Sequence, residues 1–184
     1  MNLEEYLIEF CSPTLASLKV GSLFNYAYTT CEELIHQISH WNQVLSDKGL
    51  RLRLLRVRDG RALLYLYRIS QLKQAFSTAP IQCFLREYGY ERFDLDSALW
   101  HLQCRLQQQE GFPHEIGLFL GYPLEDVEGF IRCKGCRYKC SGIWKVYGDA
   151  EQAQKSFAAF AKCRSLFRQL WAHGRSVQQL TVAA

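Results

Sequence analysis

The run from Leu50 to Arg68 constrains the fold more than any other stretch of this chain. Leu50, Leu52 and Leu54 alternate with Arg51 and Arg53, then the phase slips and Leu55 and Val57 alternate with Arg56 and Arg58. A period of two is that of a strand, and the slip predicts a β-bulge near Leu54 and Leu55 that splits the arginines between two faces. Asp59-Gly60 is a strong two-residue hairpin turn, and Arg61 to Arg68 returns as a strand whose middle, Ala62 to Tyr67, is apolar on both faces. Such a hairpin is expected at the centre of a sheet.

The remaining elements follow from local signals. Leu3, Leu7, Phe10 and Cys11 predict a helix over residues 3–11 that stops before Ser12-Pro13. Val20 to Tyr28 reads as a strand. Thr30 and Glu33 form a capping box ahead of the stripe Leu34, Ile38, Trp41 and Leu45, with Gly49 as a stop. Ser70, Pro80 and Asp94 or Asp96 open three further helices, and Gly111 and Pro113 end the third. Ile116 to Leu120 and Ile143 to Tyr147 read as short apolar strands around a helix carrying Val127, Phe130 and Ile131. The last long helix opens at Gly148-Asp149 and buries Ala153, Phe157, Phe160, Phe167 and Trp171, with a terminal turn over residues 176–180.

These elements predict an α/β or α+β fold. One domain over residues 1–184 would hold a mixed sheet of about five strands, hairpin included, with helices packed on it. A chain of 184 residues can bury roughly 70% of its unfolded surface, enough for a core. No stretch reaches the roughly 18 apolar residues of a membrane span, and the opening Met1-Asn2-Leu3-Glu4-Glu5 is acidic where a secretory signal is basic. A cytoplasmic location without membrane association is therefore expected, and with it eight reduced or metal-bound cysteines rather than disulfides. Cys83 and Cys104 are expected to be buried small hydrophobes.

Candidate chemistry concentrates between His114 and Asp149. His114-Glu115 precedes one predicted strand, and Lys145 and Tyr147 share a face of another, so the four could converge on an acid/base or anion-binding pocket. Cys11 or Cys140 could serve His114 as a nucleophile, although Cys11 ends a helix, where the dipole disfavours a thiolate. Cys31, inside a helix start, is better placed, but Glu32 and Glu33 oppose it. Cys133, Cys136 and Cys140 have ligand-like spacing, and with Cys163 or His114 they could hold zinc or an iron–sulfur cluster. Between Arg51 and Lys73 there are seven basic residues and one acid, Asp59; Arg51, Arg53, Arg56, Arg58 and Arg61 make an anion-binding candidate. Glycines at Gly121 and Gly148 are no phosphate loops, because Glu125, Asp126, Asp149 and Glu151 follow them and neither nucleotide motif occurs.

Cys11-Ser12-Pro13-Thr14-Leu15-Ala16, Leu18-Lys19, Gly21-Ser22-Leu23-Phe24, the run from His114 to Pro123, the run from Trp144 to Asp149 and the closing Ser176 to Val182 carry a resemblance along nearly the whole chain. They resemble an uncharacterised bacterial family, domain of unknown function three-seven-nine-three. The resemblance implies a stand-alone protein of anaerobic Gram-positive bacteria and transfers no activity. Cys140 falls where that family often has cysteine, whereas Cys133 and Cys136 depart from its usual block.

Three functional expectations result. The first is a small protein binding an anionic or redox-active small molecule near His114, Glu115, Lys145 and Tyr147, with Cys11 and Cys140 nearby and catalysis left open. The second is a non-catalytic accessory protein that docks a protein partner or polyanion through the basic hairpin, nucleic acid being the less favoured occupant. A cysteine-ligated metal protein is the third alternative.

Overall fold

The computed structural model describes residues 1–108 and 111–183. The chain forms two compact units, Met1–Leu72 with Cys163–Ala184, and Lys73–Lys162.

The first unit begins with α1 (Leu3–Leu15), β1 (Gly21–Ala27), α2 (Cys31–Ser46), β2 (Leu50–Arg58) and β3 (Arg61–Arg68). The three strands form an antiparallel sheet in the order β1-β3-β2, so the strand apolar on both faces is the central one. Asp59 and Gly60 make the tight turn with φ of 50° and 71°, and the register shifts between Leu54 and Arg56, as the phase slip predicts. Leu50, Leu52, Ala62, Leu64, Leu66, Phe24 and Tyr26 share a core with Leu7, Leu15, Leu34, Trp41 and Leu45 of α1 and α2. Phe167 and Val177 complete it from the chain's last segment.

Helix α1 runs four residues past its expected end, with Pro13 inside it. A proline in the last turn forfeits only its bond to the Glu9 carbonyl, and burial of Pro13, Thr14 and Leu15 outweighs that loss. The end of α1 is tied down by Arg68, a fully buried cation at the end of β3. Its Nε donates to the Thr14 carbonyl at 2.7 Å, and Nη2 donates to the carbonyls of Leu15 at 2.7 Å and Val182 at 2.8 Å. Burial lowers the Arg68 pKa from its ordinary value, the cost of placing a guanidinium where no carboxylate meets it among the described residues.

The second unit is helical, with α4 (Ala79–Arg86), α5 (Leu95–Gln107), α6 (Ile116–Phe119) and α7 (Leu124–Arg132), then a ribbon of β4 (Cys140–Ser141) and β5 (Lys145–Val146). Two helices cross the boundary in sequence: α3 (Ile69–Phe76) and α8 (Ala150–Ala172); α9 (Val177–Leu180) closes the chain. The expected mixed sheet is replaced by two antiparallel ones, because neither later apolar run joins β1-β3-β2. Residues 116–120 are a helical turn instead of a strand. A run this short has no period to separate the two, and Leu118 and Leu120 N–H close on the carbonyls of Glu115 at 3.0 Å and Ile116 at 3.1 Å. Cys83 is exposed and Cys104 half-buried, contrary to expectation, since the inward faces of α4 and α5 are taken by Phe84, Leu85, Leu99 and Leu102.

Replacing Arg68 with Leu removes the side-chain donors from the Thr14, Leu15 and Val182 carbonyls and is expected to cost about 3 kcal/mol, whereas Arg68→Lys retains part of the stabilisation. Urea denaturation checks this: the Leu variant's midpoint should fall well below that of the Lys variant, with the slope unchanged.

Candidate functional site

The register of the hairpin reverses one expectation. Arg51 lies opposite Tyr67, Arg53 opposite Tyr65, Arg56 opposite Leu63 and Arg58 opposite Arg61. Directly opposed residues project from the same face, so the bulge does not split the arginines; it absorbs the slip and keeps all of them on one face. On the other side of β3, Asn25 lies opposite Leu63 and Ala27 opposite Arg61, which puts Asn25 on that face too. At the turn end the face opens into a cleft of about 310 Å³ lined by Asn25, Arg56, Arg58, Asp59, Arg61 and Leu63.

Three guanidiniums therefore stand around one cleft, and two of them, Arg58 and Arg61, are in direct cross-strand opposition, where like charges repel. Asp59 Oδ2 is 3.4 Å from Arg58 Nε, but both side chains are largely exposed and such a pair is worth little. Arg51 and Arg53 sit further along the face and do not line the cleft. Tyr65 and Tyr67 stack on each other with ring centroids 5.0 Å apart, and both are buried, so neither is available to stack on bases. Asn25 went unnoticed in the sequence because only the register places it beside the arginines.

The stretch from His114 to Asp149 is organised differently from its expectation. His114, Lys145 and Tyr147 do gather around α7: the His114 ring meets the Phe130 ring edge-on at 4.8 Å, and Lys145 Nζ lies 5.9 Å from the centre of the same ring and 4.9 Å from that of Tyr138. These groups are already engaged. Lys145 Nζ donates to the Gly135 carbonyl at 2.7 Å, and Tyr147 O–H donates to the Cys136 carbonyl at 3.0 Å. Burial, then the neighbouring Cys133 and Cys136 thiols, hold the Tyr147 phenol above its ordinary pKa.

Glu115 does not join them. It is fully buried, paired with Arg105 and accepting from Tyr90 O–H at 3.3 Å. The Tyr90 ring in turn packs on His101, with centroids 4.2 Å apart, and burial followed by the Glu115 charge pushes its phenol far up. Tyr90 and His101 also line a second cleft of about 600 Å³, together with Trp100, Ser97, Asp96 and Arg92, which no sequence pattern signals.

The polar centre of the His114–Asp149 stretch is Asp126. Its Oδ1 accepts from the N–H groups of Tyr147 at 2.7 Å and Gly148 at 2.8 Å, while Oδ2 accepts from Trp144 Nε1 at 2.7 Å. By taking those backbone donors the carboxylate ends β5 after Val146, and the turn closed by Gly142 N–H on the Trp144 carbonyl at 3.0 Å takes up residues 143 and 144, so the expected strand over residues 143–147 shrinks to two residues. Close packing surrounds it. A Cβ on Gly129 would collide with the Tyr147 ring, one on Gly148 with the Glu125 carboxylate, and one on Gly117 would lie 2.8 Å from Val127 Cγ2.

The thiols divide as follows. Cys11 belongs to the first unit, is fully buried beside Ser22, and burial pushes its thiol up to about 12. That environment holds it neutral, the opposite of a nucleophile's requirement. Cys140 lies on β4 opposite Val146, half-buried; Cys133 is half-buried and Cys136 exposed. Among the described residues no three His, Cys, Asp or Glu side chains come together as a metal site, so Cys133, Cys136 and Cys140 are not brought into a ligand set.

A family model described as "Protein of unknown function (DUF3793)" matches residues 7–181. The chain belongs to that family. No curated protein and no solved structure compared with it matches. Among the described residues no helix is long and apolar enough to cross a membrane.

Gly129→Ala should destabilise the second unit by about 2 kcal/mol through overpacking against Tyr147, seen as an earlier loss of Trp fluorescence in urea. For Cys11 the sign follows from a folded pKa raised above the ordinary 9.0 to about 12. The stabilisation is complete below pH 9 and is lost as pH rises toward 12, because only the unfolded chain releases the proton. The stability difference between the wild type and Cys11→Ala should accordingly shrink between about pH 8 and about pH 10, as measured by denaturation at both.

Proposed function

We propose that this protein is a non-catalytic binding protein whose β2–β3 hairpin end takes a phosphate-bearing ligand. The observation that carries the reading is the convergence of Arg56, Arg58 and Arg61 with Asn25 on one cleft, with Arg58 directly opposite Arg61. Guanidiniums offer forked donors that match the paired oxygens of a phosphate, and an amide adds a neutral donor at the rim. A cleft of about 310 Å³ lies at the small end of ligand sites and suits a phosphorylated small molecule or the end of a polyphosphate chain. The local charge favours the encounter, since the hairpin's six arginines against one aspartate account for all of the chain's net charge of +4.

The competing pocket around His114, Lys145 and Tyr147 is less favoured, because its amine and phenol already donate to backbone carbonyls and Glu115 pairs elsewhere.

The test is calorimetric titration with tripolyphosphate at low salt. Arg58→Glu and Arg61→Glu should each weaken binding at least tenfold and flatten its salt dependence, while Arg51→Glu should have a small effect. The double variant His114→Ala, Lys145→Ala should bind as the wild type does. Loss of binding in that double variant with none in the arginine variants would transfer the site to the other unit.

A further inference from the structure

Cys133 and Cys136 are not used by the arginine cleft, and their geometry suits another chemistry. Helix α7 ends at Arg132, and Cys133-Lys134-Gly135-Cys136 then folds into a tight turn in which the Cys136 N–H donates to the Cys133 carbonyl at 2.9 Å. Lys134 and Gly135, the two central residues, have φ of 51° and 71°. A turn closed in this way brings its first and last Cα within about 7 Å of each other, close to the upper end of the separation a disulfide spans. A lysine at positive φ is an unusual conformation that the surroundings must hold in place. Here the turn is held at two of its carbonyls, Gly135 by Lys145 Nζ and Cys136 by Tyr147 O–H.

Access and charge add to this. Cys136 is exposed and Cys133 half-buried, so Cys136 is the thiol more open to a reagent. Lys134, Arg137 and Lys139 are exposed and adjoin the two cysteines in sequence, a local positive charge that draws carboxylate-bearing molecules, although the Lys139 amine also donates to the Gly148 carbonyl at 2.6 Å. Cys140 is a weaker partner for Cys136, because its backbone is committed to the ribbon opposite Val146.

We propose that the Cys133-Lys134-Gly135-Cys136 turn is a thiol–disulfide exchange site that accepts small carboxylate-bearing disulfides. The Cys136 thiolate attacks one sulfur of the external disulfide, forming a mixed disulfide and expelling the first small thiolate. The Cys133 thiolate then attacks the Cys136 sulfur, closing the internal disulfide and expelling the second. Two protein thiols lose two protons and two electrons in total, and the external disulfide is reduced to two thiols.

Glutathione disulfide serves as the probe, with the full chain incubated without oxygen, quenched by alkylation and read by intact mass and peptide mapping. The wild type should lose two hydrogens, carry no glutathione, and map the new bond to Cys133 and Cys136. Cys133→Ser should instead accumulate glutathione on Cys136, and Cys136→Ser should react at least tenfold more slowly at Cys133. Replacing Lys134, Arg137 and Lys139 together with Gln should slow the reaction of glutathione disulfide severalfold at low salt and leave that of neutral hydroxyethyl disulfide unchanged. A stable glutathione adduct on wild-type Cys136, a bond from Cys136 to Cys140, or a turn left reduced while exposed Cys31 reacts would each overturn the proposal.

Discussion

A buried guanidinium must find oxygen atoms, and the first unit is arranged around that requirement at Arg68. The desolvation of a cation in an apolar core costs several kcal/mol, and here backbone carbonyls offset it, two of them at the end of α1, where the macrodipole is negative. Thr14 and Leu15 supply two of them and Val182 the third. The end of α1, the end of the central strand and the returning tail are thus held at one point. The tail is shaped for that return: Ser176 and Gln179 cap α9 reciprocally, and the Val182 N–H donates to the Leu15 carbonyl at 3.0 Å.

The second unit uses the same principle with the sign reversed. Asp126 is buried, and its oxygens are occupied by two backbone N–H groups and an indole rather than by a cation. A carboxylate so placed fixes the path from Trp144 to Gly148. Glycine at 129 and 148 lets Tyr147 and Glu125 approach closely enough for that path to exist. The richness in polar and aromatic residues that marks this stretch in the sequence is therefore, in good part, the material of a tightly packed support. What the support holds outward is the thiol turn.

Legibility differed sharply between elements, and the reasons are physical. The β2–β3 hairpin was readable to the residue because its alternation, its Asp-Gly turn and its phase slip all act within a few positions. The helix over residues 116–119 was not, since four apolar residues fit a buried turn of helix as well as a strand. The arginines stand out as a group in the sequence, but their common face does not: a bulge shifts the phase, and only the partner strand decides whether it separates or reunites the side chains. Adjacency in sequence groups Glu115 with His114, but the backbone sends Glu115 into the interior toward Arg105 and leaves His114 outside.

What the sequence by itself determined was everything governed by local free energy: the caps at Thr30, Asp94 and Ser176, the strand period, the bulge and the turn at Asp59-Gly60. Tertiary structure alone decided the roles of the charged and polar residues. Arg68 and Arg61 are the same residue type at the two ends of one strand. One is a buried clamp on distant carbonyls and the other an exposed wall of a cleft. The difference arises because burial and register are set by segments up to 114 residues away, and no local pattern records which side chain a distant segment will cover.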